Sequence, residues 1–250
     1  MANLNEFSKQ AAQYAQFRPS YPDELFQYLA TVSPSRELAF DVGTGNGQCA
    51  ISLSSLFKQV VASDLSAEQI SYATPRNNIR YFSAPAEKSG LADQSVDLIT
   101  VATALHWFNL EAFYQEVRRI LKPGGVISAW AYDWHICEKP RISEILIEVG
   151  QRTLRPYWSE PPKLIWSGYR TIDFPFAEMS PPPFELKVDW NLYEFIGYIG
   201  TWSAAQKFID DQGHHPIKDY FEELLAIWQM PEKKLHFKSK LHLRVGRQLP

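Results

Sequence analysis

The sequence predicts an α/β fold built on a doubly wound, mostly parallel β-sheet, and three observations support this prediction. Short apolar runs alternate with helical runs through the first half of the chain, as they do where helices connect parallel strands. A glycine-rich turn separates the first of these strands from its helix. Near the end, residues 235–247 alternate between apolar and polar types, which predicts a long final strand.

The most informative unit runs from Leu38 to Asp64. A short apolar strand, Leu38 to Val42, is followed by a turn with three glycines: Gly43, Gly45 and Gly47. Glycine permits a positive φ and lets backbone N–H groups approach a ligand. The next helix begins near Gln48, and its N-terminus offers unpaired N–H groups to an anion. Asp64 ends the second strand about 20 residues later, where a carboxylate can accept ribose hydroxyls, so the unit predicts a site for an adenosine with an anionic tail.

The remaining elements of the first half follow from local patterns. Pro22 to Val32 and Ser66 to Ala73 read as helices, the second with Ser66 as N-cap. Leu110 to Leu121 reads as an amphipathic helix that presents Phe113, Val117 and Ile120 on its apolar face and turns Glu116 away. Lys122-Pro-Gly-Gly is expected to end that helix through a glycine cap. Apolar content predicts four further strands, at residues 60–63, 79–83, 96–102 and 126–132.

The second half is less regular. Residues 156–183 contain 7 prolines, with tryptophans between them, which is too long for a bare loop and indicates an insertion over a pocket. Aromatic residues make up 14% of the chain, and they are concentrated after residue 105. They serve either as packing or as the wall of an apolar substrate pocket. Helices are expected at 141–154, 192–204 and 216–229, with a strand at 184–190.

The glycine spacing distinguishes between adenosine cofactors. In a dinucleotide fingerprint the third glycine comes one residue later than Gly47 does here. Asp41-x-Gly-x-Gly-x-Gly instead resembles motif I of the class I S-adenosylmethionine (SAM) methyltransferases. The resemblance implies that the loop, with Thr44, holds the methionine end of SAM, and that Asp41 lies near its amino group. Ribose contacts are then expected from Asp64 and the adjoining Leu65.

Further segments carry the same resemblance. Ala86 and Glu87 match the pair that flanks the adenine in this family, and Thr103 follows the fourth strand at the cofactor edge. Tyr14-x-x-x-Arg18-Pro resembles an N-terminal segment of the trans-aconitate methyltransferase-like group. That segment implies that Tyr14 covers the cofactor and that Arg18 lies near its carboxylate.

The residues after the fourth strand are the candidates for catalysis. Ala104-Leu-His-Trp-Phe resembles a signature of a methyltransferase type 11 subgroup that includes the trans-aconitate methyltransferase-like proteins. Ligands of doubly wound sheets bind beyond the carboxyl ends of strands, so His106 and Trp107 are placed where chemistry would occur. His106 could accept a proton from a hydroxyl, thiol or amine, whereas a carboxylate acceptor would need no base. A carboxylate would need a basic partner, and Arg18, Arg141 and Arg170 are the candidates.

The resemblance covers nearly the whole chain and implies a single Rossmann-like domain with a seven-stranded, mostly parallel sheet whose last strand is antiparallel. The expected parts are an N-terminal helical cover (1–37), a SAM-binding core (38–134), a proline-rich helical cap insertion (135–183) and C-terminal strands and helices (184–250). The implied function is methyl transfer from SAM to a small-molecule acceptor, with a small organic acid or hydroxyl compound preferred. A catalytically silent SAM-binding module and an NAD-dependent oxidoreductase are the alternatives.

The composition of the chain limits the kinds of partner that it is expected to bind. A net charge of −3 indicates no surface for nucleic acid, and the sequence has no run of 18 apolar residues that would cross a membrane. The 2 cysteines are far apart, and no histidine spacing suggests a metal site. We expect a cytoplasmic protein, and the oligomeric state is open.

Overall fold

The computed structural model describes residues 17–249, apart from the side chains of residues 160–162. Its centre is a twisted sheet in which five parallel strands lie in the order β3-β2-β1-β4-β5. They are β1 (Leu38–Val42), β2 (Gln59–Asp64), β3 (Ile79–Ser83), β4 (Val96–Ala102) and β5 (Leu121–Tyr132). The order reverses between β1 and β4, which creates the crevice where doubly wound sheets bind ligands.

The end of the chain extends this sheet in the opposite direction. The final strand, β9 (Leu235–Arg247), runs antiparallel to β5, which confirms the mostly parallel sheet with an antiparallel last strand. Three strands from the middle of the chain also pair with β9: β6 (Ile136–Cys137), β7 (Ala177–Met179) and β8 (Glu185–Trp190). The two short strands β6 and β7 are additions that the sequence pattern did not predict, because three residues are too few to show an alternation.

Helices cover both faces of the sheet. On one face α1 (Asp23–Val32) and α2 (Gln48–Ser54) bury Leu25, Leu29 and Leu53 against β1, β2 and β4. On the other face α4 (Leu110–Ile120) buries Phe113, Val117 and Ile120. Consecutive strand residues serve opposite faces, as the pleat requires. A short helix, α3 (Ala67–Ser71), begins at Ser66, whose Oγ accepts a hydrogen bond from the Gln69 N–H at 3.2 Å and confirms the predicted N-cap.

A further group of helices lies over the carboxyl ends of the strands. We call it the cap; it consists of α5 (Pro140–Glu148), α6 (Glu160–Trp166), α7 (Leu192–Gly200), α8 (Ser203–Gln212) and α9 (Phe221–Trp228). Most of these helices share a hydrophobic core of their own, centred on α5, α7 and β9. Helix α6 packs instead against the 3-10 turn Leu105–Trp107 that follows β4. Within the described part of the chain, no helix is both long and apolar enough to cross a membrane.

Three local expectations differ from the structure. The expected helix 192–204 is two helices, because the chain turns at Thr201 and α8 begins anew at Ser203. The expected helix 141–154 ends as an α-helix at Glu148 and continues as one π turn, Val149–Thr153. Helix α4 ends at Ile120 with the next residue extended, and the positive φ of 76° at Gly124 lies in the strand that follows, so no glycine caps the helix.

Glu116 was also placed wrongly. Its side chain is buried, where Oε1 accepts hydrogen bonds from the backbone N–H and the hydroxyl of Ser89 at 2.8 and 2.5 Å. Arg119 donates to both carboxylate oxygens at 2.8 Å. Although burial raises the pKa of Glu116, the hydrogen bonds from Arg119 and Ser89 outweigh it and lower the pKa to about 2. The hydrogen bonds between Ser89 and Glu116 anchor the loop between β3 and β4 to α4.

Candidate functional site

Two adjacent cavities open at the carboxyl ends of the central strands. The smaller, of about 170 Å³, lies over the glycine turn, and the larger, of about 330 Å³, lies beneath the cap. Gln69, Thr103 and Trp107 line both of them. Ligands held in the two cavities would therefore meet beside these three residues.

The glycine turn needs its glycines for conformation and for space. Gly43, Gly45 and Gly47 have φ values of 67°, 56° and 87°, in the left-handed region that side chains disfavour. A Cβ added at Gly43 would lie 2.7 Å from the Cβ of Ala104, so the turn also packs tightly against the segment after β4. The turn therefore presents backbone, without side chains, at the wall of the smaller cavity.

Asp41 lies beneath the turn and lines neither cavity. Its two carboxylate oxygens accept hydrogen bonds from the hydroxyls of Thr44, at 2.5 Å, and Thr100, at 2.7 Å. Burial raises the pKa of Asp41 to about 6, against the lowering effect of these hydrogen bonds. The arrangement fixes the turn to β1 and β4, and direct contact of Asp41 or Thr44 with a cofactor stays a prediction.

Asp64 lies at the end of β2 in the wall of the smaller cavity. Its Oδ2 accepts from the Gly45 N–H and its Oδ1 from the Ser66 N–H, both at 2.9 Å. Burial raises the pKa of Asp64, and these backbone hydrogen bonds partly offset that effect. Because each carboxylate oxygen can accept a second hydrogen bond, Asp64 can still bind ribose hydroxyls.

Apolar surfaces form the rest of the smaller cavity. Leu65 leaves 46% of its surface exposed there, and Ala86 and Phe108 lie in the same wall. Glu87 also lines it, and its Oε1 accepts a hydrogen bond from the Asn109 N–H at 2.8 Å. Apolar side chains beside a carboxylate and a glycine turn fit the flat base, the ribose and the polar tail of an adenosine ligand.

Thr103 stands where the two cavities meet. It follows β4 with a φ of 53°, which is rare for a residue with a branched side chain. Its N–H donates to the carbonyl of Trp130 at 2.8 Å, and its hydroxyl is hydrogen-bonded to the Tyr21 hydroxyl at 3.0 Å. These contacts hold the backbone in a conformation that directs the chain from the sheet into the turn with His106.

His106 is buried, with only 7% of its surface exposed, and lines the larger cavity. Its Nδ1 is hydrogen-bonded to the hydroxyl of Tyr169 at 2.8 Å, and its ring lies 5.1 Å from that of Trp107. Burial lowers the pKa of His106 to about 3. The imidazole is therefore neutral at pH 7.

The larger cavity contains one of the three candidate arginines. Arg18 lines it, donates to the Tyr132 hydroxyl at 2.7 Å and to the Thr201 carbonyl at 3.4 Å, and lies over the ring of Tyr198. Arg141 instead bonds to glutamates of the cap surface, and Arg170 is exposed outside the cavity.

Five tryptophans also line the larger cavity: Trp107, Trp134, Trp158, Trp166 and Trp202. Four of them form a closed ring of contacts, in which neighbouring ring centroids are 5.4 to 6.1 Å apart. We call Trp134, Trp158, Trp166 and Trp202 the tryptophan ring. The sequence left two uses open for the aromatic residues, packing or the wall of a pocket. These four tryptophans form part of a pocket wall.

The sequence-derived site residues fall into clear groups. The smaller cavity is lined by seven of the predicted cofactor residues: Gly43, Gly45, Asp64, Leu65, Ala86, Glu87 and Thr103. His106, Trp107 and Arg18 line the larger one, and contact of Arg18 with a cofactor carboxylate stays a prediction. Asp41, Thr44 and Gly47 support the turn without lining a cavity, and Tyr14 lies outside the described residues.

Other wall residues had not been identified from the sequence. Gln69 and Phe108 line the smaller cavity, and Tyr169 holds His106 from the far side. Phe108 adjoins the recognised His-Trp pair, which could have indicated it. Tyr169 is 63 residues away from His106 in the chain, and no local pattern links the two.

Comparison with known proteins agrees with this geometry. A family model described as a methyltransferase domain, of type 11, matches residues 40–129, which contain the glycine turn, Asp64 and the His-Trp pair. A methyltransferase of Dictyostelium discoideum is 32% identical over 232 residues, which cover 90% of this chain and 87% of the relative. A SAM-dependent methyltransferase of Saccharomyces cerevisiae is 33% identical over 132 residues, or 49% of this chain and 45% of its own.

A solved structure is also similar over nearly the full length. A protein from Anaeromyxobacter dehalogenans, described as a type II methyltransferase, superposes with a TM-score of 0.86 at 37% identity, covering 94% of this chain and 99% of that one. These likenesses leave no support for the oxidoreductase alternative. The chain belongs to the class I SAM-dependent methyltransferases, and SAM is its cofactor.

Proposed function

We propose that this methyltransferase transfers the methyl group to an oxygen of a small organic acid or hydroxyl compound held in the larger cavity. The observation that carries the proposal is the junction of the two cavities at Gln69, Thr103 and Trp107, with Arg18 in the wall of the larger one. A cation there favours a substrate with a carboxylate. The larger cavity is within the usual size range of small-molecule sites, roughly 300 to 1,000 Å³.

The residues that line the smaller cavity are of the kinds that bind the parts of SAM. Backbone groups of Gly43 and Gly45 would bind its methionine end, Asp64 its ribose, and Leu65, Ala86 and Phe108 its adenine. When bound, SAM supplies a methyl group already activated on a sulfonium. The protein then has to align the acceptor oxygen and exclude water, and Trp107, at the junction, contributes to both.

His106 is better suited to positioning than to removing a proton. Burial lowers the pKa of His106 to about 3, so its neutral ring is a weak base at pH 7. Its neutral ring, oriented by Tyr169, can still form a hydrogen bond with the acceptor. This low basicity favours a carboxylate oxygen as the nucleophile, because a carboxylate has no proton to lose.

We further propose that the chain is one functional domain of the trans-aconitate methyltransferase-like group. Residues 38–134 hold the cofactor, while residues 135–183 and the helices within 184–250 cover the acceptor. The supporting observation is that Trp134, Trp158 and Trp202, from three of these segments, line one cavity. Residues 1–37 are proposed as the cover of the cofactor.

The test combines binding with turnover. Calorimetric titration with S-adenosylhomocysteine should show a single site, which Asp64→Ala weakens at least tenfold, and NADH should not bind. Labelled SAM and a panel of carboxylic acids and hydroxyl compounds should then give a methylated ester or ether. Methylation of amines or thiols alone would contradict the proposal. Cofactor binding without transfer to any acceptor class would favour the catalytically silent module.

A further inference from the structure

The tryptophan ring is the most specialised part of the acceptor cavity. Three segments distant in the chain contribute to it: Trp134 follows β5, Trp158 and Trp166 belong to the proline-rich segment, and Trp202 lies between α7 and α8. Adjacent members contact each other at tilted or edge-on angles, from 37° to 84°. Such a wall offers both ring faces and ring edges to a ligand.

The backbone around the ring is adapted to hold it. The π turn Val149–Thr153 contains Gly150, where an added Cβ would lie 2.3 Å from the ring of Trp134. The carbonyl of Gly150 accepts a hydrogen bond from the indole N–H of Trp158 at 2.7 Å. The next residue, Gln151, lines the cavity. One π turn, a feature often found at functional sites, thus seats two of the four tryptophans.

Charge selects among the ligands that an aromatic wall can bind. Tryptophan faces attract cations, but a cationic ligand would meet the guanidinium of Arg18 in this cavity. Asp133, a carboxylate in the same wall, shares a hydrogen bond with His242, whose Nε2 lies 2.6 Å from its Oδ1, and its side chain is 46% exposed, so solvent screens its charge. An anion is therefore favoured beside Arg18, whose guanidinium is less exposed.

We infer that the larger cavity binds a planar aromatic carboxylic acid. The aromatic system of the acid would pack against the four side chains of the tryptophan ring, and its carboxylate would lie at Arg18. This inference rests on the proposed function, because the carboxylate would be the methyl acceptor. It narrows the acceptor from organic acids in general to those with a flat, unsaturated body. A saturated acid would retain the charge interaction but lose the stacking on the tryptophan side chains.

The test uses an aromatic acid and three ligands that lack, in turn, its charge, the sign of its charge and its aromatic body. Indole-3-acetate is the aromatic acid, indole-3-acetamide its neutral analogue, tryptamine its cationic analogue and cyclohexylacetate a saturated acid. Calorimetry on the full chain saturated with S-adenosylhomocysteine should show that indole-3-acetate binds at least tenfold more tightly than each of the others. Labelled SAM should give methyl indole-3-acetate as the product.

Variants separate the two parts of the site. Arg18→Gln should weaken indole-3-acetate at least tenfold and leave indole-3-acetamide unchanged, whereas Arg155→Gln, at an exposed arginine outside the cavity, should change neither. Trp166→Leu should weaken both indole ligands about fivefold while sparing cyclohexylacetate. Trp166 is 40% exposed, so we expect its replacement to retain the fold, and Tyr193→Leu, at an exposed cap aromatic outside the cavity, is the control.

The outcomes distinguish a failure of this inference from a failure of the proposed function on which it rests. Equal binding of cyclohexylacetate and indole-3-acetate would show that the aromatic body is not recognised, and tighter binding of tryptamine would reverse the charge assignment. Either result, or no binding of the four ligands to a protein that still binds S-adenosylhomocysteine, overturns the inference alone. Failure to bind S-adenosylhomocysteine would instead overturn the proposed cofactor site.

Discussion

The hydroxyl of Tyr169 lies 2.8 Å from Nδ1 of His106 and joins the segment after α6 to the turn after β4. Tyr169 is fully buried and has a φ of 60°, so its position is set by the turn that follows α6. Arg244 supports this turn from β9 through a hydrogen bond to the Tyr169 carbonyl at 3.1 Å. The orientation of His106 therefore depends on the segment that covers the larger cavity.

Removing the Tyr169 hydroxyl should impair catalysis without affecting cofactor binding. Tyr169→Phe retains the ring and loses one hydrogen bond, worth about 1 kcal/mol, so kcat/KM should fall roughly fivefold. Affinity for S-adenosylhomocysteine should not change, because Tyr169 does not line the smaller cavity. Tyr114→Phe is the matched control, since this buried hydroxyl bonds to the Asp173 carbonyl outside both cavities. Equal kinetic losses in the two variants would contradict a role in orienting His106.

The glycine turn predicts a position-specific loss of cofactor binding. Gly43→Ala combines an unfavourable positive φ with a contact of 2.7 Å to Ala104, so the turn must shift. Affinity for S-adenosylhomocysteine should fall at least tenfold. Gly213→Ala, with a φ of 72° and open space around the added Cβ, carries the backbone cost of about 1 to 2 kcal/mol alone. Its thermal midpoint should fall while cofactor affinity stays at the wild-type value; parallel losses of affinity would count against the turn as the cofactor site.

The buried Glu116 should influence the adenine end of the cofactor site through the loop that it anchors. Glu116→Leu leaves the buried Ser89 N–H without its acceptor and should lower the free energy of unfolding by about 1 to 3 kcal/mol. Because Ala86 and Glu87 lie on the same loop, affinity for S-adenosylhomocysteine should also fall, about threefold. Gln115→Leu, at an exposed position of the same helix, should change stability by less than about 0.5 kcal/mol. Denaturant unfolding and calorimetry measure both effects, and unchanged stability of Glu116→Leu would refute the anchoring role.

Buried histidines should make the fold sensitive to mild acid. Burial lowers the pKa values of His106 and His135 to about 3 and that of His215 to about 4, so all three stay neutral in the folded protein at pH 5. In the unfolded chain they become protonated below about pH 6.5, which favours unfolding as the pH falls. Protonation of His106 in the unfolded chain should lower the free energy of unfolding by about 2 kcal/mol between pH 7 and 5, and protonation of His135 should lower it by a similar amount.

Two buried acids, Asp41 and Asp64, act in the opposite direction, because burial raises the pKa of each. Burial raises the pKa of Asp41 to about 6, so its protonation favours the folded state as the pH falls below 6, by about 1.4 kcal/mol at pH 5. The histidines outweigh them, and denaturant unfolding should show lower stability at pH 5 than at pH 7. His135→Phe should flatten this dependence by about 2 kcal/mol. Equal stability of the wild-type protein at the two pH values would be inconsistent with neutral buried imidazoles.

How far the sequence predicts the structure depends on how far apart the interacting residues are. The unit from Leu38 to Asp64 was predicted correctly because apolar strands, glycines and an acid at a set spacing are all local signals. Glu116 was misplaced because of its charge: helical periodicity puts it on the face of Phe113 and Val117, but its partner there, Ser89, is 27 residues away in the chain. The turn at Thr201 is closed by hydrogen bonds from its N–H and hydroxyl to the Tyr198 carbonyl, and Arg18, distant in the chain, adds a contact to the Thr201 carbonyl at 3.4 Å.

The candidate site divides in the same way. Seven cofactor candidates that line the smaller cavity came from motifs, each contained within a few residues. The walls of the larger cavity come from β4, β5 and the cap, and only folding brings them together. An abundance of aromatic residues indicated two possible uses, but no pattern could show that four distant tryptophans contact one another.

The concentration of indole rings around one cavity also gives the protein an optical reporter. Five of the 8 tryptophans of the chain line the larger cavity, so most of its indole rings lie at the proposed acceptor site. Ligands that do not absorb near 295 nm should therefore change the emission intensity as they bind. Acceptor binding can be followed in real time, on the unmodified protein, whether or not a methyl group is transferred.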